Sequence, residues 1–239
     1  MTQAAIVTGG SSGIGLAVAH MLRDEGYELT LVSRTVEKVE RAAAELGATP
    51  IAADVGDPEA CAHVVAEHRD RSGRLDVLVN SAGKGVPGTV EAMPVKHLDM
   101  QLAVNVRGMF AITQAAIPLL RESRGWIVNM SSITGTIPSP GLVAYAAAKA
   151  AIISLTRSLN EELDADGVRA IAICPAFVDT PMADWSGIAK DEMIQPDDIA
   201  EIVRLCLRLS PHARISQIVV ENMGGNTDIL SRGDVLNLG

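Results

Sequence analysis

A chain of 239 residues that is 48% apolar can bury one sizeable core, and with aromatics at 3% that core must be built of Ala, Val, Ile and Leu. Its formal charge of −9 argues against nucleic acid or an anionic membrane as a partner, because phosphates would be repelled. The three cysteines, Cys61, Cys174 and Cys206, are too widely spaced for a disulfide framework or a metal site, and read as reduced, buried thiols of a cytoplasmic protein.

Short apolar runs alternate with longer periodic segments along the whole chain. The first strand is expected at "AAIVT" (4–8), so close to the first residue that no signal peptide fits before it, and no apolar run reads as long enough to cross a bilayer. "TGGSSGIG", Thr8 to Gly15, follows and leads into a helix over 13–25. Glycines remove the Cβ atoms that would keep a pyrophosphate from backbone N–H groups, and the helix N-terminus adds its positive end. Gly9 allows the tight turn, Gly13 the close approach and Gly15 the packing of helix on sheet, with Ser11, Ser12 and Ile14 beside them. The spacing is G-x-x-x-G-x-G, and its position after the first strand is what gives it weight.

A second strand, "ELTLVS" (28–33), ends in Ser33, Arg34 and Thr35 before a helix over 35–46. An acidic residue at that end would favour a free ribose 2′-hydroxyl, whereas the planar fork of Arg34 suits a 2′-phosphate. NADP(H) is therefore the expected cofactor. The third strand (49–53) leads to Asp54 and Val55, where an acceptor could meet an adenine amino group, and a helix follows over 57–72. His63 and His68 are read as surface residues of that helix. The fourth strand (75–80) ends in "NSAG": Ala82 and Gly83 let backbone approach a cofactor, and Asn80 is read mainly as a tie between strands.

A long helix over 97–122 holds Asn105, a poor residue for a helix interior, where a kink would free a carbonyl for a water that touches Lys149. The fifth strand (125–131) ends at Ser131 and Ser132, either of which could hold a carbonyl oxygen. Next comes a helix over 145–164 with Tyr145 and Lys149 four apart, hence on one face. An ammonium beside a phenol favours the phenolate and lowers its pKa, and such a tyrosine can exchange a proton with a carbonyl or alcohol. A sixth strand (168–174), an irregular segment over 176–195 that could form a mobile lid, a helix over 196–209 and a seventh strand (216–221) complete the chain. Strict β–α alternation implies one Rossmann-like α/β domain over 1–239, a seven-stranded, doubly wound parallel sheet with helices on both faces.

Taken in order, "TGGSSGIG", "DV", "NSAG", Asn105, a serine thirteen residues before the tyrosine, and "YAAAK" make the chain resemble the short-chain dehydrogenase/reductase family in its compact form. That resemblance covers nearly the whole chain and selects Asn105, Ser132, Tyr145 and Lys149 as the catalytic set. Tyr145 would be the acid or base, Ser132 the orienter, and Lys149 both a modifier of the phenol and a ribose ligand. Pro175, Val178 and Thr180 would lie beside the nicotinamide, and Arg34 matches the family's NADP signal. Two departures stand out: Pro175-Ala176 replaces the usual Pro-Gly, and the ending "VVENMGGN" matches loosely. The resemblance implies hydride transfer between the nicotinamide and a carbonyl or alcohol carbon, as in a carbonyl reductase or an alcohol or hydroxy-acid dehydrogenase. A modest hydrophobic ketone or aldehyde is the expected substrate, with a 3-oxoacyl-thioester reductase or a non-catalytic nucleotide sensor as the alternatives. An epimerase or dehydratase would need a larger C-terminal region. The resemblance also implies a homodimer or homotetramer packed through helices 97–122 and 145–164.

Overall fold

In the computed structural model, which describes residues 2–223, seven strands form one sheet in the order β3-β2-β1-β4-β5-β6-β7, with every neighbouring pair parallel. The strands are β1 (Ala4–Thr8), β2 (Glu28–Ser33), β3 (Thr49–Ala52), β4 (Val77–Asn80), β5 (Trp126–Met130), β6 (Arg169–Pro175) and β7 (Gln217–Val220). Each lies within one or two residues of its expected position. β1, β4 and β5 are buried from end to end, as a sheet covered on both faces requires.

Helices α1 (Gly13–Asp24) and α2 (Val36–Leu46) cover one face together with α7 (Pro196–Leu207), around Val18, Leu22, Leu31 and Val203. The other face carries α3 (Pro58–Ser72), α5 (Met109–Ser123) and α6 (Val143–Glu162), packed on Ile6, Leu78, Ile112 and Ile127. Strand order reverses between β1 and β4, and a crevice opens beyond their carboxyl ends at that point. Thr8 holds the rim: its Oγ1 accepts from the N–H groups of Ser81 at 3.1 Å and Ala82 at 3.2 Å.

Three expectations change here. The helix expected over 97–122 begins at α4 (Val95–Leu102) and runs into α5 through a π-helical turn, Ala103–Gly108, which contains Asn105. The local irregularity expected at that asparagine therefore takes the form of a widened turn rather than a break. Because the turn joins the pieces, Val95–Ser123 becomes one 29-residue helical run whose length and composition would suffice to cross a membrane, contrary to the sequence reading. Ile112, Ala116, Leu119 and Leu120 on its inner face belong to the protein core.

His68 is not a surface residue; it is 2% exposed. Its Nε2 donates to the Arg74 carbonyl at 2.9 Å, which leaves Nδ1 to accept from the Thr30 hydroxyl at 2.8 Å. The spacing 61, 64, 65, 68 puts it on the buried face of α3 beside Cys61, Val64 and Val65, and burial lowers its pKa.

The segment 176–195, expected as a mobile lid, is tied at its base. Val178 and Ile194 form a bridge, Lys190 pairs with Asp179 at 3.1 Å, and the Asn222 side chain holds both the N–H and the carbonyl of Phe177. The ending "VVENMGGN" leaves the described residues after Met223.

Candidate active site

A cleft of about 550 Å³ opens at the switch point, lined by the β1–α1 loop, the ends of β2 and β3, and residues 81–85. Gly9 has φ +67°, and a Cβ there would stand 2.9 Å from the Ala82 nitrogen. Gly13, at φ +52°, passes so close to Thr180 that a Cβ would meet Cγ2 at 2.9 Å. Gly15 packs under the Gly9 carbonyl, where any side chain would collide with backbone. The first turn of α1 holds no acidic residue, and Ser12 at its N-cap spends no side-chain hydrogen bond on it. These N–H groups and the helix dipole suit an anion, so the donor set fits the pyrophosphate of a dinucleotide.

At the β2 end, Ser11 donates to the Ser33 hydroxyl at 2.9 Å, and the exposed Arg34 has no ion-pair partner among the described residues. Val55 lines the same cleft; Asp54 lies in an adjoining hollow with Arg34 and caps Gly56 N–H at 2.9 Å. Thr35 is the N-cap of α2 and stays outside the cleft lining. Asn80 points inward: its Nδ2 donates to Thr113 at 3.1 Å and to Asn129 at 2.9 Å, so it ties elements together and does not face the cleft.

A second hollow of about 120 Å³ adjoins the first, with Tyr145, Ser131, Ser132 and Pro175 on one side and Phe177, Val178, Met182 and Trp185 on the other. Among the described residues, no charged side chain lines it. Phe177 and Trp185 meet edge to face, ring centroids 6.2 Å apart, and fix the outer wall. Thr180 borders both hollows.

The two serines part company. Ser131 donates to the Lys149 carbonyl at 2.8 Å and anchors α6, whereas Ser132, whose Oγ accepts from the Thr134 N–H at 3.2 Å, lines the hollow beside Tyr145. Lys149 is 4% exposed, donates to the Met130 carbonyl at 2.7 Å, and lies 5.4 Å from the Tyr145 ring centroid. The phenol is raised, not lowered. Burial pushes it up to about 12, opposed by the Ser132 hydroxyl, while burial brings Lys149 down to about 8. A protonated phenol is the form that donates to a carbonyl oxygen as negative charge develops there, and the nearby ammonium stabilises the phenolate left behind.

Asn105 does not reach the pocket: both ends of its amide hold the backbone of Lys84, accepting from its N–H at 3.0 Å and donating to its carbonyl at 2.7 Å. Sequence reasoning missed Ser81 and Lys84 in the cleft wall and Phe177 in the pocket wall. The run "NSAG" pointed at this wall, but nothing in the sequence turns the next side chain toward the cleft.

Comparison with known proteins agrees with this geometry. The family model for short chain dehydrogenase matches residues 3–190. The chain belongs to the short-chain dehydrogenase family and is an oxidoreductase of that class. It is 33% identical over 219 residues to an uncharacterized oxidoreductase of Staphylococcus epidermidis, covering 90% of this chain and 95% of that protein. Oxidoreductase UcpA of Salmonella typhimurium is 36% identical over 219 residues, 89% of this chain and 81% of that one. A solved alcohol dehydrogenase from Thermococcus sibiricus, complexed with 5-hydroxy-NADP, superposes with a TM-score of 0.87 at 28% identity, over 93% of this chain and 97% of that one.

Proposed function

We propose that this chain is an NADP(H)-dependent carbonyl reductase or alcohol dehydrogenase acting on a small uncharged substrate in the cytoplasm. Thr180 would hold the nicotinamide, which in its reduced form would supply the hydride. Tyr145 donates the proton to the substrate oxygen, Ser132 orients that oxygen, and Lys149 stabilises the phenolate. Gly9, Ser12 and Gly13 take the pyrophosphate, and Arg34 takes the ribose 2′-phosphate. The observation that carries the reading is the Tyr145 phenol beside Ser132, in a hollow that no charged side chain among the described residues lines and that opens into the cleft at the switch point. A family relative holding an NADP derivative supports the choice of cofactor. A charge-free wall favours ketones and aldehydes over acids, which would have to leave a carboxylate unpaired.

Loss of NADPH absorbance over a panel of ketones, aldehydes, diketones and β-keto thioesters tests this, with NADH in parallel. Turnover with a neutral carbonyl and NADPH is expected. Turnover confined to thioesters would overturn the substrate class, and a strong preference for NADH would overturn the role of Arg34.

The outward side chains Leu102, Phe110 and Val143, which are 37%, 51% and 44% exposed, support assembly of the enzyme as a homodimer or homotetramer through α5 and α6.

A further inference from the structure

Of the eight residues of α4 one is buried, and it is a glutamine, Gln101, at 0% exposure. A buried amide must find partners on both ends. Gln101 Oε1 accepts from the Val86 N–H at 3.0 Å, and Nε2 donates to the His97 carbonyl at 3.2 Å. Four positions on, Asn105 likewise accepts from the Lys84 N–H, at 3.0 Å, and donates back to the Lys84 carbonyl. Two positions beyond Val86, the Gly88 N–H donates to the Gly141 carbonyl at 2.7 Å, just before the start of α6.

Residues 84, 86 and 88 are thus tied back at the period of an extended strand. Helix positions four apart are separated by about 6 Å, and strand positions two apart by about 6.6 Å. Two amide side chains on successive helical turns can therefore stand in for the neighbouring strand this segment lacks. The alternate residues, Gly85 and Pro87, line the substrate hollow. Gly85 rests against the catalytic ring so closely that a Cβ would stand 3.2 Å from Tyr145 Cδ2.

We propose that Gln101 is a positioning residue. Through Val86 it holds segment 84–88 as the fixed wall against which the Tyr145 ring rests, and so sets where the phenol meets the substrate. The proposal rests on the reading of Tyr145 as the proton donor.

Gln101→Met keeps the length and volume of the side chain and removes both hydrogen bonds. In the ligand-free full chain, amide exchange over 84–88 is expected to speed up about tenfold while that over 109–123 stays unchanged. The same variant should lose about tenfold in kcat for carbonyl reduction, with KM for NADPH within about twofold, since the phosphate cradle is untouched. Gly85→Ala presses a methyl group on Tyr145. Its cost should shrink in the Gln101→Met background, where the freed wall can give way. Should Gln101→Met not fold, Gln101→Asn, too short to reach Val86, is expected to give the same three results. In an active wild type, unchanged exchange or purely additive losses would overturn the role of Gln101 alone. A wild type that turns over no carbonyl would overturn the reading of the site itself, whatever the exchange shows.

Discussion

Tyr145 and Lys149 are held in opposite senses by one cause. Burial raises the phenol to about 12 and lowers the ammonium to about 8, so near neutrality both groups carry their protons. Reduction needs that state: a phenol to give a proton and a cation to steady what remains. As pH rises past about 8, Lys149 loses its charge, and kcat/KM for reduction should fall along a single alkaline limb, read from initial rates. Stability should move the other way. The lowered pKa means that the unfolded chain holds this proton more tightly, so the Lys149 contribution rises between about 8 and its ordinary 10.5, as urea midpoints across that window would show. Tyr145→Phe removes only the transferable proton. It is expected to lose about 10²- to 10⁴-fold in kcat, with NADPH binding, followed by nicotinamide fluorescence, retained. For Arg34→Ala, loss of a charge-assisted bond to phosphate should weaken NADPH by about 1.5–3 kcal/mol and leave NADH nearly unchanged, as titration calorimetry would measure.

At the scale of elements, polar side chains span the sheet just behind the site. Asn80 donates to Asn129, Asn129 donates to Thr156 at 2.9 Å, and Thr156 donates to the Ile152 carbonyl at 2.7 Å. The chain of bonds links β4, β5 and α6, with α5 joined through Thr113, and it sets the height at which α6 presents Tyr145. Removing its middle member strands two buried groups. Asn129→Ala should therefore cost about 2–4 kcal/mol in urea unfolding, the loss of two satisfied buried groups, whereas a lone strand-end asparagine in solvent would cost nearly nothing. The π turn is a second device at this scale. By widening α4 into α5 at Asn105, it permits that amide to span the Lys84 backbone while Gln101, a turn earlier, accepts from the Val86 N–H.

Across the whole molecule, the two helical layers differ in purpose. α1, α2 and α7 close one face over the phosphate side, and α3, α5 and α6 close the other while leaving Phe110 and Val143 outward. If those side chains mark a contact between copies, Phe110→Glu should lower the sedimenting mass toward 25.1 kDa with the fold intact by circular dichroism, and an unchanged mass would remove α5 from the interface. Much of this architecture was legible in the sequence. Alternating apolar runs and helical periods determined seven parallel strands and their helices, because buried strands and amphipathic helices impose local periods that do not depend on the rest of the chain. The glycine loop and the Tyr145–Lys149 spacing were legible for the same reason: a turn and one helix face are local objects. The tertiary structure alone decided that Ser131 anchors α6, that His68 lies inside, that Asn80 takes Asn129 as its partner, and that Gln101 and Asn105 hold the backbone of one loop. Each of these is a choice of partner between segments 15 or more residues apart, and such a choice is made by how layers stack, which no local pattern encodes.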